Sequence, residues 1–163
     1  MTLPNDYSVS LQIAAHRIIA AVRARLPVTA VPSAFGSYLD QVYAIARAGL
    51  VALDGQNVFV YRDVPDQPTV ADVAFGVGVT APFVAVGSVQ PTALPVGEVA
   101  TTTHWGSYGR LGAAHQAVIE WCHAHGRQRV GPRWEVYGHW TEDEARLRTD
   151  VFYLLEPGAS KSV

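Results

Sequence analysis

The chain has 163 residues, 49% hydrophobic and 16% charged, with 12 Lys and Arg against 14 Asp and Glu for a formal charge of −2. One domain of about 100–200 residues fits that length, a folded chain of this size can bury roughly 70% of its unfolded surface, and the apolar, weakly charged composition is the opposite of a disordered polymer's. There is no basic surplus for gripping phosphates, and the lone cysteine, Cys122, excludes an internal disulfide or a multi-cysteine zinc site, so the balance predicts a soluble cytoplasmic domain without direct nucleic-acid contact.

Residues 1–6 show no basic segment leading into an apolar run, so no secretory signal is read there. The apolar run Ile18–Val22 lies between Arg17 and Arg23, far too short to span a bilayer. Residues 20–25 read as a strand centred on Val22, punctuated afterwards by Pro27 and Pro32. From Ser33 the spacing of Phe35, Leu39, Val42 and Ala46 predicts an amphipathic helix, stopped at Gly49. Gly55 then precedes Val58-Phe59-Val60-Tyr61, a strand, and residues 62–69 read as a loop. Residues 73–97 hold no charge, yet their glycines and prolines oppose a membrane helix. Two buried strands joined at Thr80-Ala81-Pro82 are expected instead, and an apolar edge strand at Val84–Val89 could pair with a second copy to give a homodimer.

After Pro95 the pattern restarts. Val99–Trp105 reads as a strand, Gly106 breaks it, and Ser107 caps a helix from Tyr108 to about His125, whose one face carries Leu111, His115, Val118 and Cys122. Gly126 ends that helix, Trp134–Trp140 and Val151–Leu155 read as strands around a charged loop at 141–146, and 158–163 is a mobile tail. The two halves, about 8–90 and 96–157, thus repeat one strand, helix, strand, strand order within a single domain. Phe35-Gly36 answers Tyr108-Gly109, Phe59-Val60-Tyr61 answers Glu135-Val136-Tyr137, and Asp72-Val73 answers Asp150-Val151, at offsets of 73, 76 and 78. The expected fold class is α+β, duplicated βαββ units with a ligand cleft between the repeats.

Chemistry concentrates on residues 134–140. Alternation along a strand puts Trp134, Val136 and Trp140 on one face, apolar and suited to a helix, and Glu135, Tyr137 and His139 on the other. A carboxylate among aromatics loses solvation when ionised and wants a compensating partner; Arg129, Arg133 or Arg148 would supply one at a sheet edge. Trp105 and Tyr108 flank the strand-to-helix corner, and an aromatic wall around one carboxylate suits flat, cationic organic molecules. Phe59 and Tyr61 are the first-half counterparts of Glu135 and Tyr137, with Tyr38 on the preceding helix. No metal site is read: His123 and His125 point to different sides of a helix, and His115 and Cys122 stand about 10 Å apart along it. His104 is expected to orient local backbone or to edge the pocket. Gly106-Ser107-Tyr108-Gly109 lacks nucleophile-elbow spacing, and Gly76-Val77-Gly78 is no dinucleotide fingerprint, so no cofactor is implied.

His104-x-Gly106-x-Tyr108, Trp121 and Gly126, Glu135-x-Tyr137 and Asp150-Val151-Phe152-Tyr153 together resemble the GyrI-like small-molecule-binding domain, the effector-binding half of AraC- and MerR-type multidrug regulators. That family usually has Pro where this chain has Ser107. The resemblance implies a duplicated βαββ unit, two helices on a curved antiparallel sheet, and a pocket glutamate, Glu135, beside Tyr137 that attracts planar or cationic ligands. It suggests a stand-alone member that binds or sequesters such compounds through Glu135, Tyr137, Trp105, Tyr108, His139, Phe59, Tyr61 and Tyr38. Some stand-alone relatives are hydrolases that open strained cyclopropanes of DNA-alkylating natural products, which would make Glu135 and Tyr137 catalytic; others bind and inhibit DNA gyrase.

Overall fold

The computed structural model describes residues 7–158. Its strands are β1 (Ser10–Ala14), β2 (Ile18–Pro27), β3 (Leu53–Val64), β4 (Gln67–Val79), β5 (Gln90–Ala93), β6 (Gly97–Trp105), β7 (Arg129–Tyr137) and β8 (Arg148–Leu155). Its α-helices are α1 (Val31–Arg47) and α2 (Leu111–Ala124), each entered through a 3₁₀ turn, Val28–Ala30 or Tyr108–Arg110. The fold is α+β with antiparallel pairing.

The chain divides into two units, one running His16–Leu94 and the other holding residues up to Ala15 with those from Pro95 onward. In the first unit β3 pairs with β4, β4 with β2, and β2 with β5. In the second, β7 pairs with β8, β8 with β6, and β6 with β1. Each unit is therefore a strand, helix, strand, strand run whose opening strand carries one extra edge strand. That strand comes from just before the other repeat: β1 precedes β2 in the chain but pairs with β6, and β5 precedes β6 but pairs with β2.

Strand register refines the internal repeat. Phe59 faces Phe75 and Glu135 faces Val151, so 135 − 59 and 151 − 75 both give 76 across the hairpin. Asp150-Val151 therefore does not answer Asp72-Val73; Thr149 answers Val73. Val22 and Thr102 lie opposite Phe75 and Val151, giving 102 − 22 = 80 for the opening strands. The helices begin at Val31 and Leu111, again 80 apart, so His115 rather than Tyr108 is the counterpart of Phe35. Gly55 and Gly131, 76 apart, both occupy register shifts with positive φ, 82° and 130°, where a side chain would be strained. Pro27 and Ser107 open the two 3₁₀ turns in nearly one conformation, φ −57°, ψ 138° and φ −53°, ψ 137°.

Other boundaries move for local reasons. Residues 62–69 are not a loop: β3 and β4 close on Pro65-Asp66, and Asp66 takes the left-handed conformation that Asp tolerates, φ 64°. The uncharged stretch yields the end of β4 and the short β5, with 80–89 irregular. Val84–Val89 is not an edge strand; Val86 and Val89 form an isolated bridge and Val84 is exposed. Gly76 has a packing role, since a Cβ there would come within 2.9 Å of the Ala20 carbonyl oxygen on β2. Gly49 and Gly126 end the helices with φ of 79° and 63°. Of the expected tail, Gly158 donates its N–H to Glu98, and 159–163 lie outside the described residues. Among the described residues no helix is long and apolar enough to cross a membrane.

Candidate functional site

In the second unit α2 lies across the face formed by Ala100 of β6 and Val151, Tyr153 and Leu155 of β8, with Leu111, Ala114, Val118 and Cys122 packed inward. Cys122 is a core residue at the position where α1 has Val42, and burial pushes its thiol pKa up, with Arg129 and Arg127 pulling the other way. Glu135 stands opposite Val151 on β7, so it points to this same face. The helix thus covers the Glu135 and Tyr137 side of β7, the reverse of the expectation that it would cover Trp134 and Val136. Trp134 instead stacks on Phe152 across the strand pair, centroids 5.4 Å apart.

Polar side chains can occupy a helix-covered face only where each finds a partner. Glu135 is 5% exposed. Its Oε2 meets His115 Nε2 of α2 at 2.7 Å, and its Oε1 accepts the Tyr137 hydroxyl at 2.7 Å. The other imidazole nitrogen, Nδ1, lies 2.8 Å from the Tyr153 hydroxyl of β8. Four side chains from three elements therefore form one chain, Tyr153–His115–Glu135–Tyr137. Burial pushes the Tyr153 pKa up to about 12, with Glu135 and Cys122 acting in the same direction and Arg133 and Arg129 against it. Tyr108 stands edge-on to Tyr137, centroids 5.6 Å apart, and burial raises its phenol pKa too.

Of the residues singled out from sequence, Glu135, Tyr137 and Tyr108 come together here. His139 does not join them: β7 ends at Tyr137, so alternation no longer sets the direction of His139, which is exposed. Trp140, expected beside Trp134, is 71% exposed for the same reason. Trp105 is 58% exposed, and the Arg148 guanidinium lies 5.5 Å from its ring. Arg148 also bonds Asp150, so its charge is engaged there. Phe59, Tyr61 and Tyr38 belong to the first unit. There Tyr38 stacks on Phe75 at 4.9 Å, Phe59 meets Phe75 edge-on at 5.1 Å, and Phe35 of α1 tilts against Phe59 at 5.7 Å. Among the described residues no group of three or more His, Cys, Asp or Glu side chains could hold a metal ion.

A family model for the GyrI-like small-molecule-binding domain matches residues 9–155. The chain belongs to this family. Solved structures agree on the GyrI-like fold. The EcmrR C-terminal domain is similar at TM-score 0.74 and 19% identity, covering 93% of this chain and 98% of its own. SAV2435 bound to tetraphenylphosphonium follows at 0.68 and 12%, covering 92% and 94%. A hydrolase from Listeria innocua gives 0.62 and 11%, covering 91% of each. At these identities the likeness is one of fold. No functionally curated protein matches the sequence.

In this GyrI-like domain sequence reasoning weighed His115 only as a metal ligand and missed it as the partner of Glu135. The available signal was an imidazole on the apolar stripe of α2, where a polar group must find a partner in the sheet below. His104 does orient local backbone. It is buried, its Nε2 donates to the Ser107 carbonyl oxygen at 2.8 Å, and its Nδ1 receives the Tyr7 hydroxyl at 2.7 Å. Ser107 Oγ accepts from Gly109 N–H, as a cap should, on the 3₁₀ turn that precedes α2.

Proposed function

We propose that the protein is a cytoplasmic binding domain that takes up planar aromatic or cationic small molecules at Glu135, with Tyr137 and Tyr108 as the adjoining aromatic surface. The observation carrying this reading is the buried Glu135 carboxylate, oriented by hydrogen bonds at both oxygens and flanked by phenol rings. A carboxylate in such surroundings attracts a diffuse organic cation more strongly than one in water, because the interaction is less screened, and aromatic faces add dispersion and cation–π attraction. Support comes from the similar fold of SAV2435, which carries tetraphenylphosphonium. Isothermal titration with that cation tests the assignment: Glu135→Gln is expected to weaken binding by about tenfold or more. Equal affinity in the variant and the wild type would remove Glu135 from the site.

A hydrolytic reading is favoured by the imidazole bonded to Glu135, since a carboxylate with an adjoining imidazole is also equipped for proton transfer. Glu135 would then orient or deprotonate water, and Tyr137 would turn its hydroxyl from Glu135 towards a developing phenolate. Incubation with a cyclopropane-bearing alkylator decides the matter, because this reading requires a ring-opened product that forms only with the protein.

A further inference from the structure

The Tyr153–His115–Glu135–Tyr137 chain contains more than a cation needs. A carboxylate alone would attract one; here an imidazole that can itself become a cation is already bonded to it at 2.7 Å. The hydrogen-bond roles are constrained. An ionised carboxylate only accepts, so His115 Nε2 keeps a proton and donates to Glu135 Oε2 whether or not the ring is charged. At Nδ1 the partner is a hydroxyl, which can act either way. With a neutral ring Tyr153 donates to Nδ1; with a charged ring Nδ1–H donates to the Tyr153 oxygen. A proton can thus enter or leave at Nδ1 with both hydrogen bonds kept. Burial favours the neutral phenol of Tyr153, so this hydroxyl retains the hydrogen it needs in either state.

Counting charge over the pair gives −1 with a neutral ring and zero with a charged one. We propose that His115 is a specificity-determining residue that sets the charge of the Glu135 site, so that binding of an organic cation there expels the proton from His115 Nδ1. This rests on the assignment of Glu135 as the cation-binding group and adds the condition under which it acts. An uncharged aromatic ligand gains nothing from the expelled proton, so the site favours cations when the ring is neutral and loses that preference when it is charged.

Other ionisable groups face the pair. Arg129, Arg133 and Tyr137 come from β7, Tyr153 from β8 and Cys122 from α2, while His104 lies on the same face of β6 and bonds Tyr7. Arginines stay charged throughout, and burial raises the Tyr153 phenol and the Cys122 thiol. Among these residue types imidazole is the one that ordinarily exchanges its proton between about pH 5 and 8. His104, held between Ser107 and Tyr7, is the competing source of any pH dependence.

The test is calorimetry with tetraphenylphosphonium, whose own charge does not depend on pH, at about pH 8 and about pH 5, and near pH 6 in two buffers of different ionisation enthalpy. The wild type is expected to bind about tenfold or more weakly at the acid end and, near pH 6, to release a fraction of a proton on binding. His115→Gln should lose both the pH slope and the proton release, because its amide donates to Glu135 and accepts from Tyr153 without taking up a proton. His115→Asn, whose amide likewise takes up no proton and keeps a donor on α2, is the second variant and should lose them as well. A wild-type affinity that is level across pH with no proton released overturns the inference while leaving Glu135 as the cation site. A slope retained in both variants overturns it by assigning the proton elsewhere, and failure of the cation to bind at any pH overturns this inference together with the reading beneath it.

Discussion

The helix-to-strand contact is built twice in this chain with opposite chemistry. In the first unit Phe35 of α1 meets Phe59 of β3 and the edge of Phe75 completes a hydrocarbon cluster. In the second the corresponding positions are His115 of α2 and Glu135 of β7, joined by a hydrogen bond of 2.7 Å. The frame around them is common to both: a 3₁₀ turn into a helix, a glycine in the strand irregularity and the same hairpin register. A buried ionisable pair seldom improves stability over well-packed apolar residues, since desolvation offsets most of the attraction. The repeat with Phe–Phe shows that the frame does not need a polar pair. The His–Glu version therefore accords with the ligand site proposed above rather than with a need of the fold.

The strongest way to break the comparison is to put half of the polar pair into the apolar unit. Phe59→Glu sets a carboxylate against the rings of Phe35 and Phe75 and should cost about 3–5 kcal/mol in urea denaturation. Adding Phe35→His should recover part of that loss, with a coupling energy of about 1 kcal/mol or more in a double-mutant cycle; additive losses would mean that the two contacts are not equivalent. The converse exchange, His115→Phe with Glu135→Phe, should leave stability unchanged or raise it by about 1–4 kcal/mol while abolishing tetraphenylphosphonium binding. A double variant that unfolds would show that the pair serves the fold after all. The smallest effect concerns the entry turn, where Pro27 and Ser107 share one backbone conformation. Ser107→Ala loses the bond to Gly109 N–H and should lower stability by about 1 kcal/mol. Ser107→Pro loses the same bond but restricts the unfolded chain, so thermal denaturation should place it within about 1 kcal/mol of the wild type.

Much of this arrangement was readable one element at a time. The stripe from Phe35 to Ala46 marked α1, glycines marked both helix ends, and strand alternation put Glu135 and Tyr137 on one face. The errors lie where a residue's surroundings come from elsewhere in the chain. Glu135 and His115 are 20 positions apart and on different elements, so finding His115 as a partner depended on how α2 crosses the sheet. The same packing decided which face of β7 the helix covers, which alternation alone leaves open. His139 and Trp140 were placed by extending an alternation beyond the point where pairing with β8 stops. Residues 62–69 looked like a loop because Pro and Asp crowd there, whereas two of them suffice for the reversal. The repeat offsets of 73 and 78 rest on short identities; the helix starts give 80 for the first and strand register gives 76 for the second.

The crossed edge strands bear on how the chain assembles as it leaves the ribosome. Every strand of the His16–Leu94 unit lies within one continuous stretch of sequence, whereas β1 precedes that stretch and pairs with β6, which begins only at Gly97. Strand β1 can therefore pair with β6 only after the intervening unit has been synthesised, which makes its docking a long-range step. Deleting β1 would strip an edge from the half that holds Glu135, although in sequence the cut falls far from it.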